Sequence, residues 1–183
     1  MEATDMLMAE HRVIERVLMA LEKAVRRMEA GQVVRPGFFL DAAEFIRGFA
    51  DECHHRKEEG VLFKALADNG MPAEQGPLAT MLYEHEKGRQ FTRGMSTAAK
   101  KWQNGKTTAK NEVISNALSY AGLLRQHISK EDQVLFPMAN RIIPAEQQRK
   151  IVEDFERVED EDTGKGTHEK FIELAEALEQ EMN

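Results

Sequence analysis

An all-α fold is what this sequence predicts: an antiparallel, up-and-down four-helix bundle with additional helical segments at its C-terminal end. Three observations lead there. Ala, Leu, Met, Glu, Lys and Arg are abundant, while strand formers are sparse, with one Trp and two Tyr in 183 residues. Apolar residues recur three and four apart over four long stretches. The 12 glycines and 5 prolines cluster at a handful of sites that mark the ends of those stretches.

The first helix is expected from about Thr4 to Ala30, closed by Gly31. Leu7, Ile14, Leu18, Leu21, Val25 and Met28 form its apolar stripe, and His11 fills the one gap of seven. A loop with Pro36-Gly37 leads to a second helix over Phe38 to Asp68, ended by Asn69-Gly70. The third spans Leu78 to Gln103, between Gly76-Pro77 and Asn104-Gly105. The fourth runs from Thr107 or Thr108 to about Ile143, with Pro137 bending its last turns. Pro144 opens a further helix to Val158, Glu159 to Gly166 is an exposed acidic link, and Thr167 caps a closing helix over His168 to Glu181. No domain boundary is placed. One domain covers 1–183, with the bundle at about 4–143 and a helical extension at 144–183, packed along the outside or across one end.

Composition narrows the function. Hydrophobic residues make up 42% and charged residues 31%, the balance of a soluble globular chain. The net charge is −7, and the Lys and Arg are scattered among the acids, so no basic stripe exists for nucleic acid. The start Met1-Glu-Ala-Thr-Asp is acidic where a secretory leader is basic and then apolar, and no apolar run approaches the ~20 residues of a membrane span. A single cysteine, Cys53, excludes an intramolecular disulfide. The expected compartment is the cytoplasm; no protein partner can be named.

An internal repeat points at the site. His54-His-Arg-Lys-Glu58-Glu-Gly-Val-Leu-Phe63 aligns without gaps with His127-Ile-Ser-Lys-Glu131-Asp-Gln-Val-Leu-Phe136. Each copy is preceded by a Glu-His pair, Glu10-His11 and Glu84-His85, at nearly equal separations of 43 residues (His11 to His54) and 42 (His85 to His127). Two helical hairpins related by a pseudo-twofold follow, each bringing one His and one His-x-x-x-Glu to a similar height. Val113, Ala117, Tyr120, Leu124, His127, Glu131, Val134 and Met138 form a four-three seam, and Ala43, Ile46, Ala50, His54, Glu58, Val61 and Ala65 form a comparable line. His and Glu one turn apart can then reach one ion.

Burying two glutamates in a helical core is costly unless a cation balances them. A metal does so beside His11, His54, His85 and His127, and imidazole with carboxylate suits iron, zinc or manganese. A lone histidine on an apolar face is usually a core residue. Four at matched heights with two glutamates are a metal pattern. His55 and Glu59 form a second i,i+4 pair whose counterparts are Ile128 and Asp132, so they read as supporting or surface residues. Asp132 falls off the seam. His168 reads as exposed unless it folds back over the bundle, Tyr120 as core or a supporting donor, and Cys53 as core.

With these residues in order, His11, His54-x-x-x-Glu58 with Val-Leu-Phe, His85, and His127-x-x-x-Glu131 with Val-Leu-Phe-Pro137, the chain resembles hemerythrin-like proteins of the HHE cation-binding type over about Leu7 to Met138. That resemblance implies an up-and-down bundle around two non-haem irons. His11, His54, His85 and His127 would then be terminal ligands, and Glu58 and Glu131 bridges. The respiratory members carry two histidines one turn apart on the third helix, whereas here Arg89 stands at i+4 from His85. A fifth histidine would have to be His168 or His55. The resemblance implies binding or sensing of dioxygen, nitric oxide or peroxide. The alternatives are a redox enzyme or iron-handling protein with the same site, and an interaction module that the metal only staples.

Overall fold

The computed structural model describes residues 2–164 and 166–183. Met1 and Lys165 lie outside them, and with Lys165 one residue of the expected acidic link. The described residues are helical with no strand. Helix α1 spans Ala3–Glu29 and ends where Gly31 takes a φ of +77°, its amide bonding the carbonyl of Met28. Helix α2 (Pro36–Phe45) starts on a proline, whose missing N–H costs nothing in a first turn. It continues without a break through two π-helical stretches, Ile46–His55 and Glu58–Leu62, into α3 (Phe63–Asp68). Helix α4 (Pro77–Gln103) follows. A 3-10 turn (Thr107–Ala109) then leads into α5 (Lys110–Lys130), a π-helical stretch (Glu131–Leu135) and α6 (Phe136–Ile142).

The π-helical stretches are the main departure from the regular helices expected. Glu58–Leu62 and Glu131–Leu135 fall at matching places in the two repeats, whereas the counterpart of Ile46–His55 lies within the α-helix α5. A π turn holds one residue more than an α turn, so it slips the helix face by one position. The effect is visible in burial. The four-three seam assigns Val134 and Val61 to the interior, but Val134 is 52% exposed and Val61 only partly buried, while Leu135 and Leu62 are buried. Ala139 and Leu66 likewise replace Met138 and Ala65 in the core. Proline is not the cause. Pro137 follows one stretch, but Lys64 stands at the matching position after the other.

Three neighbouring pairs run antiparallel, as their contacts show. On α4 and α5, His85 meets His127, Gly88 meets Tyr120 and Leu124, and Trp102 meets Lys110. On α1 and the 110–142 rod, Glu22 pairs with Arg125 and Arg12 with Asp132. On the 36–68 rod and α4, Phe39 packs near Trp102 and Glu59 pairs with Arg89. Two apolar clusters fill the interior. One is built around Leu18, Phe45, Phe49, Ala98 and Ala117, the other around Leu7, Leu66, Leu135 and Phe155. The histidines lie between them in chain position.

The C-terminal segments wrap this assembly. Pro144 precedes α7 (Ala145–Arg157), which lies against α1 and the Glu58–Leu62 stretch. The segment expected as an exposed link is instead π-helical over Val158–Gly164, and its Glu159 ion-pairs with Lys57. Helix α8 (Thr167–Glu181) begins at Thr167, with Gly166 rather than Thr167 in the cap position at φ +77°. It packs on α1 and α2, tied by Arg16 to Glu179 and Arg35 to Glu181. The Phe171 ring rests on Gly48, where an added Cβ would lie 1.9 Å from the ring.

Candidate metal centre

Five histidines and two glutamates converge in a buried chamber between the helices. His11 comes from α1, His54 and His55 from the Ile46–His55 stretch, Glu58 from the next π turn, His85 from α4, His127 from α5, and Glu131 from the π turn after it. All seven are buried. They form two groups whose candidate donor atoms lie within 4.8 Å of one another: His11, His54, Glu58 and Glu131, and His55, Glu58, His85 and His127. Glu58 belongs to both, with Oε1 3.5 Å from His54 Nε2 and Oε2 3.3 Å from His85 Nε2. Glu131 spans the same gap, its Oε2 3.2 Å from His11 Nε2 and 3.3 Å from His127 Nε2.

Each imidazole is oriented the same way. Its Nδ1–H donates to a carboxylate: His11 to Asp132 (2.7 Å), His54 to Glu10 (2.8 Å), His55 to Asp51 (2.9 Å), His85 to Glu59 (2.7 Å) and His127 to Glu84 (2.9 Å). An ionised carboxylate can only accept, so this sets the tautomer and leaves Nε2 facing the chamber as a lone-pair donor. Basic side chains brace all five carboxylates. Arg12 holds Asp132, Lys57 holds Glu10, Arg89 holds Glu59 and stands 3.7 Å from Asp51, and Lys130 holds Glu84.

A metal ion fits this donor set. The Nε2 atoms of His11, His54 and His55, and all four carboxylate oxygens of Glu58 and Glu131, are buried with no hydrogen-bond partner. Buried polar atoms are otherwise paired, because leaving one unpaired costs about 1–3 kcal/mol and more for a charge. Seven such atoms facing one chamber would find partners in a bound cation. A carboxylate on the far nitrogen of each ligating histidine is the usual outer arrangement of metal sites.

Without a metal, the same atoms must share protons. Burial alone would push His11 down, but Asp132 and Glu131 outweigh it and raise its pKa to about 10. His85 is likewise raised to about 9 by Glu58 and Glu59 against the effect of burial. Burial would raise Glu58, yet His54, His85 and His11 hold it down at about 2. His55, wholly buried among the other histidines, is pushed well below the ordinary value.

Two roles were open to His55: its alignment with Ile128 suggested a supporting or surface place, and the missing fifth histidine a place at the site. It stacks on His85 with ring centres 3.8 Å apart inside the second group. The π-helical backbone lets consecutive His54 and His55 serve opposite groups. His168 does not complete either one. It lies partly exposed, 3.4 Å from Glu159 and 3.9 Å from Glu10, in a separate group with Cys53 whose carboxylates already hold the Lys57 ammonium. Tyr120 is buried against Gly88 with its hydroxyl unpaired, and burial raises that hydroxyl well above its ordinary pKa.

Apart from Glu59, read as supporting or surface, the orienting carboxylates escaped the reading of the sequence, although the repeat carries their signal. Glu10 and Glu84 are the acids of the two Glu-His pairs, Glu59 and Asp132 are the acids that follow Glu58 and Glu131, and Lys57 and Lys130 are the repeated lysines. Asp51, which orients His55, has Leu124 as its counterpart and so no repeat to mark it.

The family profile described as "Hemerythrin HHE cation binding domain" matches residues 2–139. Curated relatives include uncharacterized proteins from Mycobacterium bovis and from two strains of Mycobacterium tuberculosis. Each is 23% identical over 180 residues, which is 98% of this chain and 70% of the relative. No solved structure matches the chain significantly.

Proposed function

The chain belongs to the hemerythrin HHE cation-binding family, and on that premise we propose that it holds two non-haem irons and binds or senses a small molecule such as dioxygen, nitric oxide or peroxide. The rods 3–29, 36–68, 77–103 and 110–142 would be the four helices of an up-and-down bundle, working in the cytoplasm. No helix among the described residues is long and apolar enough to cross a membrane.

The observation that carries this reading is the set of unpaired inward atoms on His11, His54, His55, Glu58 and Glu131, divided into two groups that share Glu58. Glu58 and Glu131 would bridge the irons, His11 and His54 would hold one, and His55, His85 and His127 the other. Iron bound there would supply redox and small-ligand chemistry. The protein's own part is to fix the imidazole orientations, supply two negative charges and keep the chamber dry. The two groups are unequal, three histidines against two, so the poorer one leaves more room for an added ligand. Zinc or manganese are the alternative ions the donors accept.

Elemental analysis of protein purified without added metal tests the proposal. About two irons per chain are expected from the paired groups, with a visible spectrum that changes on exposure to nitric oxide or peroxide. One zinc, or no metal, would defeat it.

A further inference from the structure

We propose that the C-terminal extension, beyond the matched residues 2–139, is a positioning element for His54, acting through Glu159, Lys57 and Glu10. The inference rests on His54 being a metal ligand, as proposed above. The chain of contacts is short and, up to the partly exposed Glu159, buried. Glu159, in the Val158–Gly164 stretch, ion-pairs with Lys57; Lys57 Nζ is 2.5 Å from Glu10 Oε1; and the other oxygen of Glu10 accepts from His54 Nδ1 at 2.8 Å. His168, from the first turn of α8, adds a contact 3.4 Å from Glu159.

The repeat supplies an internal control. Lys130, Glu84 and His127 reproduce Lys57, Glu10 and His54 in the other half, with Glu84 accepting from His127 and paired with Lys130. Lys130 keeps 41% of its side chain exposed and pairs with no C-terminal residue in the contacts described, whereas the Lys57 side chain is 0% exposed beneath Glu159. The extension therefore covers one half of a pseudo-symmetric centre. A fully buried ammonium is held in place by its counter-charges. Glu159 fixes Lys57, Lys57 fixes one oxygen of Glu10, and the remaining oxygen sets the His54 ring. On the other side, solvent can stand in for the missing carboxylate. The extension is itself held by the Phe171 ring against Gly48, six residues before His54 on the same rod.

Three substitutions separate this role from general packing. Glu159→Gln removes the charge and keeps the shape, Gly48→Leu displaces Phe171 and so undocks α8, and Lys130→Gln disturbs the uncovered half. Three readouts are made. In the iron-57-loaded protein, Mössbauer spectra and the rate of iron loss to a chelator are recorded for each iron. In the metal-free protein, the imidazole resonances of His54 and His127 are followed by NMR. With Glu159→Gln and Gly48→Leu, one doublet should shift, one iron should leave about tenfold faster, the lower end for outer partners of ligating histidines, and the His54 Nδ1–H resonance should move while His127 stays. Lys130→Gln should give the converse pattern. An unchanged His54 resonance in Glu159→Gln, or equal disturbance of His54 and His127, overturns the proposal. Wild-type protein that takes up no iron would sink the di-iron reading alone, because the NMR comparison still decides the positioning role. If Gly48→Leu does not fold, the Glu159→Gln spectra decide between the two results.

Discussion

Replacing Glu58 by Gln changes one buried oxygen to an amide nitrogen and removes one charge, with almost no change in volume. In the folded chain that carboxylate reaches both groups, 3.5 Å from His54 Nε2 and 3.3 Å from His85 Nε2. Its loss should therefore weaken both ions together. Metal bound only to the folded state at a hundredfold excess over Kd stabilises by about 2.7 kcal/mol per site. For 183 residues, the unfolding entropy near 60 °C is about 0.38 kcal/mol per degree, so each site raises Tm by roughly 7 °C and two by roughly 14 °C. Thermal unfolding with and without a chelator reads this directly. In wild-type protein, chelation should lower Tm by about that amount, and in E58Q by less than half as much. Comparing each protein with its own chelated form removes any effect of the substitution on the metal-free fold. An undiminished chelation shift in E58Q would refute the shared-carboxylate arrangement.

Three further outcomes follow from the same geometry. His55→Gln should lower iron from about two to about one per chain by elemental analysis, because it takes one of three imidazoles from a single group; full loading would return His55 to a packing role. Metal-free protein should lose stability as pH rises. The folded pKa values of His11 and His85, about 10 and about 9, lie above the ordinary 6.5, so their contribution is complete below pH 6.5 and is lost through pH 9 to 10. Metal binding needs neutral imidazole and should strengthen over that range, so denaturant titrations at pH 6 and 9.5, with and without chelator, should show opposite trends; parallel trends would contradict this. Lys57→Met strands Glu10 and Glu159 and should cost about 3–5 kcal/mol in chemical denaturation, against a surface-pair loss under about 1 kcal/mol for Lys130→Met. Equal losses would show that burial does not distinguish the two lysines.

The all-helical class was readable because it rests on local chemistry. Helix-forming residues, three-four apolar spacing and glycine or proline at the ends are short-range signals, and α1 and α4 begin and end within a residue of the positions they predict. The candidate donor types were readable for a related reason. A repeated His-x-x-x-Glu is a pattern in one dimension, and burying carboxylates in a helical core leaves few explanations besides a cation. What misled was the assumption of a constant 3.6-residue turn. One extra residue per π turn moved Val134 outward and Leu135 inward, and it carried His55 from an outer position into the chamber.

The C-terminal extension shows the other limit. The acidic composition of 159–166 matches a solvated link, and nothing local says that Glu159 will meet a lysine 102 residues earlier in the chain. Residue type and spacing along one chain were enough to place the helices, the repeat, and the histidines and glutamates worth considering. They could not divide those side chains into two groups, match each imidazole to the carboxylate that turns it, or tell which lysine is sealed from solvent. These features emerge only in the folded chain, because they depend on helix register and on contacts between distant segments, where a slip of one residue redirects a side chain.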